Sequence, residues 1–256
     1  MADYNDRALR SQAGTAQSVD AGLRSYMLRV YNYMFAGLLL TGIAAYGAFA
    51  AAVTTNPEQA VGRTHSGLLV TAFGAALFEG PLRWVLLFGS LGIVLFLSFR
   101  IAKMSVMTAR ISFLAYATIV GLTFASLFVV YTETSIAQTF FITAATFGAM
   151  SLWGYTTRSD LTGFGSFLFM GLIGLIIAMV VNFFLQSSML AFVISGAGVL
   201  IFTGLTAYDT QKIKNNYLES DDAATSGKKA IFGALQLYLD FINLFLMLLR
   251  LMGSRR

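Results

Sequence analysis

The sequence contains no cysteine, two prolines and a single histidine, His65, in 256 residues. Without cysteine it has no disulfides, no thiolate metal sites and no cysteine nucleophile. One histidine is too few for a cluster of imidazole ligands. Charged residues are scarce too, because Asp, Glu, Lys and Arg make up 11% of the chain, whereas soluble domains contain about 25%. A chain with so little charge needs surroundings that accept apolar surface, and a lipid bilayer provides them.

Apolar residues take the place of the missing charge. They make up 57% of the chain, and the mean hydropathy is +0.72. A helix that crosses a bilayer needs about 20 mostly apolar residues. Seven such runs are present, at roughly 30–53, 82–101, 106–130, 137–156, 163–185, 189–211 and 229–251. A further apolar stretch, from Leu68 to Phe78, is too short to span and is expected in the membrane interface. The sequence therefore predicts an all-α integral membrane protein, a bundle of seven transmembrane helices.

The first 28 residues are polar and have no short apolar core followed by a small-residue cleavage site, so they do not form a secretory signal peptide. They predict a solvent-facing N-terminal tail, 1–28, followed by one seven-helix transmembrane domain, 29–253.

The basic residues are divided unevenly between the two faces that seven spans create. On the face of the N-terminus lie twelve of the 17: Arg7, Arg10, Arg24, Arg29, Arg100, Lys103, Arg110, Arg158, Lys212, Lys214, Lys228 and Lys229. On the other face lie five: Arg63, Arg83, Arg250, Arg255 and Arg256. The positive-inside rule then predicts a cytoplasmic N-terminus. The net charge of +5 reflects this orientation, and we expect no nucleic-acid partner.

Two carboxylates lie within the predicted spans, Asp209 in GLTAYDTQKIK and Asp240 in GALQLYLDFINLFLMLLRL. A charge at the bilayer centre costs about 2.5–3.5 kcal/mol on insertion scales. At 3.6 residues per turn, an arc of about 100° holds the polar and small positions of the last helix: Gly233, Gln236, Asp240, Asn243 and Arg250. The rest of that helix is Leu, Phe, Ile and Met, so the polar stripe should face protein or water.

Each aspartate also has a simpler explanation. Asp240 could be a buried polar clamp that only fixes helix packing, and Asp209 could pair with Lys212 on the surface. Considered together, the two aspartates suggest a common site, because their helices are consecutive and can pack antiparallel with the acids facing each other. Asp240 would then lie deeper, unless the seventh helix starts late.

Two carboxylates in a poorly hydrated site tend to share one proton, which makes such a pair a candidate proton sensor. Without the proton they offer hard oxygen ligands. With Gln236, Asn243, Thr206 and water, they supply only part of the 6–8 oxygens that calcium prefers. The sequence thus predicts weak, transient calcium binding, which suits passage better than storage.

Small residues recur at a spacing of four, which allows helix backbones to approach closely in lipid. They form three groups: Gly37, Thr41 and Ala45; Ala117, Gly121 and Ala125; and Ala144 and Gly148. The spacing fits either a dimer interface or packing within one bundle, and we interpret it as packing within the bundle.

The segments LYLDFINLFLMLLRLMG and AYDTQKIK closely resemble the bacterial branch of the Bax inhibitor-1 (transmembrane Bax inhibitor motif) family, and the resemblance covers roughly 25–253. It implies a last helix surrounded by the other six and a pH-sensitive calcium leak. It also implies a paired-aspartate sensor at Asp209 and Asp240, latched by Arg100, with Arg250 as a motif arginine. Eukaryotic members carry a second acid one turn before the Asp240 position, where this sequence has Gln236.

The resemblance leaves two functions open, because some bacterial relatives regulate a membrane-anchored protease. A third possibility is an intramembrane aspartyl protease, but no Gly-x-Gly precedes Asp240 and no Pro-Ala-Leu follows it. We therefore expect no enzyme and no cofactor. The expected function is a pH-sensitive calcium leak channel of the bacterial inner membrane, whose partners are lipid, calcium ions and protons. The alternative is a membrane-embedded regulator of such a protease.

Overall fold

The computed structural model describes residues 2–64 and 66–256, with side chains from residue 20 onward. The described part contains eight α-helices and one short hairpin. In chain order they are α1 (Ala2–Ala52), β1 (Gly62–Arg63), β2 (Leu69–Val70), α2 (Ala72–Phe78), α3 (Pro81–Arg100), α4 (Val106–Val130), α5 (Glu133–Thr156), α6 (Thr162–Leu185), α7 (Ser188–Asn215) and α8 (Ala223–Met252). Seven helices are long and apolar enough to cross a membrane, namely α1 from Asp20 onward and α3 to α8. The predicted seven-helix bundle is confirmed.

α7 and α8 each extend beyond their apolar run at one end. α7 continues past residue 211 to Asn215, and α8 begins at Ala223 rather than near residue 229. Hydropathy does not predict these turns, because their residues are polar. At the start of α8 a capping hydrogen bond stabilises the helix instead. The Asp222 side chain caps α8 by accepting from the Thr225 amide at 3.1 Å. Hydrogen bonds from Thr225 also lower the pKa of Asp222, so the cap is more readily ionised.

The helix of the first span also starts earlier than the predicted tail boundary at residue 28. Tyr26 is buried, and its ring packs on that of Tyr217 with the centroids 5.5 Å apart. Residues 20–28 therefore belong to the packed bundle. The side chains of the rest of the predicted tail, 1–19, lie outside the described part of the structure, and so does His65.

The connection between the first two spans contains the hairpin and the short helix α2. β1 and β2 are antiparallel, with Gly62 opposite Val70. α2 is seven residues long and does not span, as expected for the stretch from Leu68 to Phe78. It lies directly against the end of α1, because Gly74 has no Cβ to meet the Ala52 backbone.

The last helix lies at the centre of the bundle. In its apolar window 72% of the residues are buried, against 11% to 39% in the other six spans. Its main neighbours are α1, α4, α5 and α7, while α3 packs mainly on α4 and α6 mainly on α7. The predicted central position is confirmed, but α8 is surrounded chiefly by four helices, with α3 and α6 at the periphery.

Small residues bring the helices close together inside the bundle. On α1, Thr41 Oγ1 donates to the Ala117 carbonyl of α4 at 2.9 Å. A Cβ added to Gly121 would lie 2.5 Å from the Thr41 carbonyl oxygen, so only glycine allows this contact. The first two groups of small residues therefore serve packing within the bundle, as interpreted. The third group, Ala144 and Gly148, instead lines an apolar cavity of about 1260 Å³ between α1 and α5.

Candidate functional site

The contact between α7 and α8 fixes the relative height of the two aspartates. The position of Gly233 on α8 lies against Ile213, near the end of α7, and that of Gly198 on α7 lies against Met247. This antiparallel register leaves the first turns of α8 projecting beyond the end of α7. In this register the level of Asp209 falls near residue 236 of α8, so Asp240 lies about one helical turn deeper, as expected from the sequence.

The register places the Asp209 and Asp240 carboxyl groups beside each other. Asp240 is 6% exposed. Its Oδ2 atom is fully buried and receives no hydrogen bond from any donor in the described residues. Two ionised carboxylates have no proton to share, so this contact becomes a hydrogen bond only when one of them is protonated. Two neighbouring acids of this kind can hold one proton between them.

A single cation stands beside the pair. Lys212 Nζ lies 3.9 Å from Asp209 Oδ1, and the Lys212 side chain is 43% exposed. Its ammonium group also lies 5.8 Å from the centre of the Tyr208 ring. The surface pairing of Asp209 with Lys212 is thus present together with the contact between the aspartates. A pair so exposed contributes little to stability, but it places a positive charge at the outer edge of the site.

Arg100 is not brought to the aspartates. It is exposed at the end of α3, and across residues 20–64 and 66–256 it forms no ion pair with either acid. α3 packs mainly on α4, whereas the aspartates lie between α7 and α8. The sequence indicated correctly that Arg100 and Asp209 lie on the same face of the bundle, but a shared face does not make two helices neighbours.

The polar stripe of α8 does not converge on the pair. Asn243 is half-buried and donates to the Leu239 carbonyl of its own helix at 2.8 Å. Gln236 is half-buried, and Arg250 is exposed near the opposite end of α8. On α7, Thr206 is fully buried and donates to the Phe202 carbonyl at 2.8 Å. Asn243 and Thr206 thus donate to the backbone of their own helices in this conformation.

A chain of three hydroxyl groups next to the site was missed by the sequence analysis. The Tyr31 hydroxyl of α1 lies 2.7 Å from Ser151 Oγ of α5, which lies 2.9 Å from Thr210 Oγ1 of α7. Thr210 directly follows Asp209. Each hydroxyl belongs to a different helix, and Ser and Thr are common in membrane helices, where they donate to their own backbones. Only the tertiary structure shows that these three hydroxyl groups bond to one another and not merely to their own backbones.

Residues 23–256 match the family model described as "Inhibitor of apoptosis-promoting Bax1". The chain belongs to the Bax inhibitor-1 family. It is 46% identical to the inner membrane protein YbhL of Escherichia coli over 243 residues, which are 92% of this chain and 94% of the relative. A Rickettsia prowazekii protein is 46% identical over 240 residues, 94% of each chain. A Caulobacter vibrioides protein is 44% identical over 259 residues and is covered completely.

The aspartate pair of this Bax inhibitor-1 family member is largely buried, because Asp240 is 6% exposed and the Asp209 side chain 15%. Three cavities, of about 1260, 670 and 280 Å³, open elsewhere in the bundle, and neither aspartate lines any of them. Within the described residues, no group of three or more His, Cys, Asp or Glu side chains is placed to hold a metal ion. Two carboxylates fall short of the six to eight oxygens that calcium prefers.

Proposed function

We propose that this Bax inhibitor-1 family protein is a slow, proton-regulated calcium leak pathway and not an enzyme. The observation that carries the proposal is the Asp240 carboxyl group in the central helix, which has a buried Oδ2 atom without a hydrogen-bond partner and the Asp209 carboxyl group beside it. Such a group is costly in a membrane, so its retention argues for a function that uses its charge. The name of the relative YbhL and the asymmetry of basic residues support the inner membrane and a cytoplasmic N-terminus.

A proton shared by the two aspartates holds α7 and α8 together. When this proton is bound, the two carboxyl groups share a hydrogen bond and the helices stay in contact. When it leaves, two negative charges face each other where little water screens them, and their repulsion favours separation of α7 from α8. The separated carboxylates, with Thr206 and water, then offer oxygen ligands to a passing calcium ion. Because the ligands are few, the ion binds weakly and moves on.

The test is a pH series of calcium leak into liposomes that contain only the purified protein. Asparagine keeps the shape of aspartate but cannot ionise, so Asp209→Asn and Asp240→Asn should each flatten the pH dependence of leak. The double variant should be little worse than either single variant, because a shared site is lost only once. Asp160→Asn, which changes an exposed acid in a connecting loop on the same face, is the matched control and should keep the parent profile.

Two results would contradict this mechanism. If each single variant kept the parent pH profile, or if the effects of the two simply added, the aspartates would be independent groups. If the parent protein gave no leak above empty vesicles at any pH, the channel would be wrong and the protein would instead be a membrane-embedded regulator of a protease.

The cation beside the pair can be tested in the same assay. The resemblance implies that Arg100→Ala releases a latch and raises the leak. In this structure, however, the neighbouring cation is Lys212, so Lys212→Met should shift the pH profile more than Arg100→Ala. A larger effect of Arg100→Ala, in protein that is still folded, would indicate a second closed conformation in which α3 moves toward α7.

A further inference from the structure

A second cavity lies on the face opposite to the aspartates. Its volume is about 670 Å³, and its walls come from α2, α3, α4 and the segment after α8. Three arginines line it, Arg83, Arg255 and Arg256. They are three of the five basic residues that oppose the charge asymmetry of the chain. The exceptions to the positive-inside pattern are therefore gathered mainly around one cavity.

The arginines are only partly neutralised by the protein. Glu79 is the only acidic side chain in the lining. Arg256 is occupied, because its guanidinium lies 3.3 Å from Glu133 Oε1 and 3.4 Å from the Tyr131 carbonyl. Arg83 and Arg255 form no ion pair with a carboxylate side chain in the part of the chain that the structure describes. Three arginines and one acidic side chain leave the lining with a net positive charge, so this arrangement favours an anion beside them.

The cavity is held in shape by backbone contacts. Arg255 forms a β-bridge with Tyr131, and the Arg256 amide donates to the Val130 carbonyl at 3.0 Å. These bonds fasten the segment after α8 to the turn between α4 and α5. Arg83 is in the first turn of α3, whose N-cap Gly80 gives no side-chain cap. The dipole of a helix start also favours an anion nearby, which adds to the effect of the arginines.

The remaining wall of the cavity is apolar. Leu77, Phe78, Leu86, Leu87 and Val129 line it. The cavity lies where α3 begins and α4 ends, which is the level of the membrane interface. A free inorganic anion would leave the apolar wall uncovered, whereas a phospholipid covers it with the upper part of its chains. We propose that this cavity binds the phosphate headgroup of an anionic membrane phospholipid, held mainly by Arg83 and Arg255.

The chain carries a reporter for this site. Arg83 lies 5.8 Å from the Trp84 ring centre, and the only other tryptophan, Trp153, lies at the opposite end of the bundle. In a Trp153→Phe background, the emission of Trp84 can be measured in vesicles of phosphatidylcholine containing a minor share of brominated phosphatidylglycerol or of brominated phosphatidylcholine. We expect phosphatidylglycerol to quench Trp84 several-fold more effectively than phosphatidylcholine.

Variants test whether the arginines of the cavity cause the preference for phosphatidylglycerol. Arg83→Gln combined with Arg255→Gln should abolish it. Arg63→Gln removes one positive charge from the same face, but Arg63 does not line the cavity, so this variant should keep the preference. Comparing the two lipids within each variant cancels any direct effect of the substitution on Trp84 emission.

Each outcome decides the proposal. Equal quenching by both lipids in the parent protein would overturn it, and so would a preference that survives the double substitution. If added inorganic phosphate removed the phosphatidylglycerol preference, the site would bind a free anion and not a lipid. Calcium leak does not enter this measurement, so the outcome is independent of the proposed channel function.

Discussion

α6 and α8 differ in a way that reverses the rule of soluble proteins. α6 is the more hydrophobic span, with a hydropathy of 2.6 in its apolar window, yet only 11% of that window is buried. α8 has a hydropathy of 1.8, and 72% of its window is buried. In water the more apolar helix would occupy the core. In a bilayer, lipid accepts apolar side chains as readily as protein does, so burial selects the helix that carries polar groups.

The interior position of α8 follows from particular contacts. Its Tyr238 hydroxyl lies 2.7 Å from Thr41 Oγ1, and its Asp240 carboxyl meets that of Asp209. Neither group could be satisfied in lipid. α6 has no charged residue between Thr162 and Leu185 and can present Phe and Ile to acyl chains. If this comparison holds, matched substitutions should be tolerated at the periphery and damaging at the helix contacts around α8.

The largest difference is expected from glycine substitutions. Gly154 of α5 lies directly against the Ala207 backbone of α7, whereas the position of Gly174 on α6 has no neighbour within 4 Å of an added Cβ. Gly154→Leu should separate α5 from α7 and leave little folded protein, and Gly174→Leu should be neutral. Size-exclusion profiles of detergent-purified protein measure both. Equal recovery of the two variants would show that the contact at Gly154 can relax.

A smaller effect is expected from truncating apolar side chains. Leu237 of α8 is fully buried, and Ile177 of α6 is 58% exposed. Leu237→Ala should lower the free energy of unfolding by about 2–5 kcal/mol, because it leaves a cavity. Ile177→Ala should change it by less than about 0.5 kcal/mol. Denaturation in mixed micelles gives both values, and similar losses would mean that burial in α8 adds no packing energy beyond that of lipid contact.

A single hydroxyl group gives a finer comparison. Thr41 can donate to the Gly37 or Ala117 carbonyl, which leaves its oxygen free to accept from Tyr238. Tyr238→Phe should therefore cost about 0.5–1.5 kcal/mol in the same denaturation assay. Tyr46→Phe, on the lipid-facing side of α1 at 59% exposure, is the control and should be silent. A silent Tyr238→Phe would indicate that the hydroxyl pair does not hold α1 to α8.

The smallest effect concerns the start of α8, which faces water. Hydrogen bonds from Thr225 lower the pKa of Asp222 below its ordinary value of about 3.9. The ionised cap therefore contributes stability above that value, and the contribution is lost as the pH falls through the lowered pKa. Asp222→Ala should slightly lower the unfolding temperature at neutral pH and have less effect in strong acid. An equal effect at both pH values would show that the charge of the cap is irrelevant.

The seven spans were predictable because each is a long apolar run, and Asp209 and Asp240 stood out because lipid penalises charge. Their contact was also predictable, since consecutive antiparallel helices joined by a short connection usually pack together. The choice between the two candidate cations was not predictable. Lys212 and Arg100 lie on the same face, and only the arrangement of helices around α8 shows that α3 packs mainly on α4 and not on α7.

The cavity lined by Arg83 and Arg255 was equally hidden in the sequence. These residues are far apart in the chain and looked like separate exceptions to the charge asymmetry. Their convergence depends on the β-bridge between Tyr131 and Arg255, a backbone contact that leaves no mark on composition or hydropathy.

The central position of α8 also has a consequence for biosynthesis. α8 follows the other six spans in the chain, so the ribosome delivers the helix that fills the middle after its neighbours are already in the membrane. The bonds that close the bundle join distant residues, as in the pairs Thr41–Tyr238 and Arg29–Ser226, each separated by 197 positions. Contacts of such long range form late and slowly. Until then the inward-facing hydroxyl of Thr41 has no Tyr238 to accept from, and the nascent protein depends on lipid, water or an insertion factor to occupy the place of its final helix.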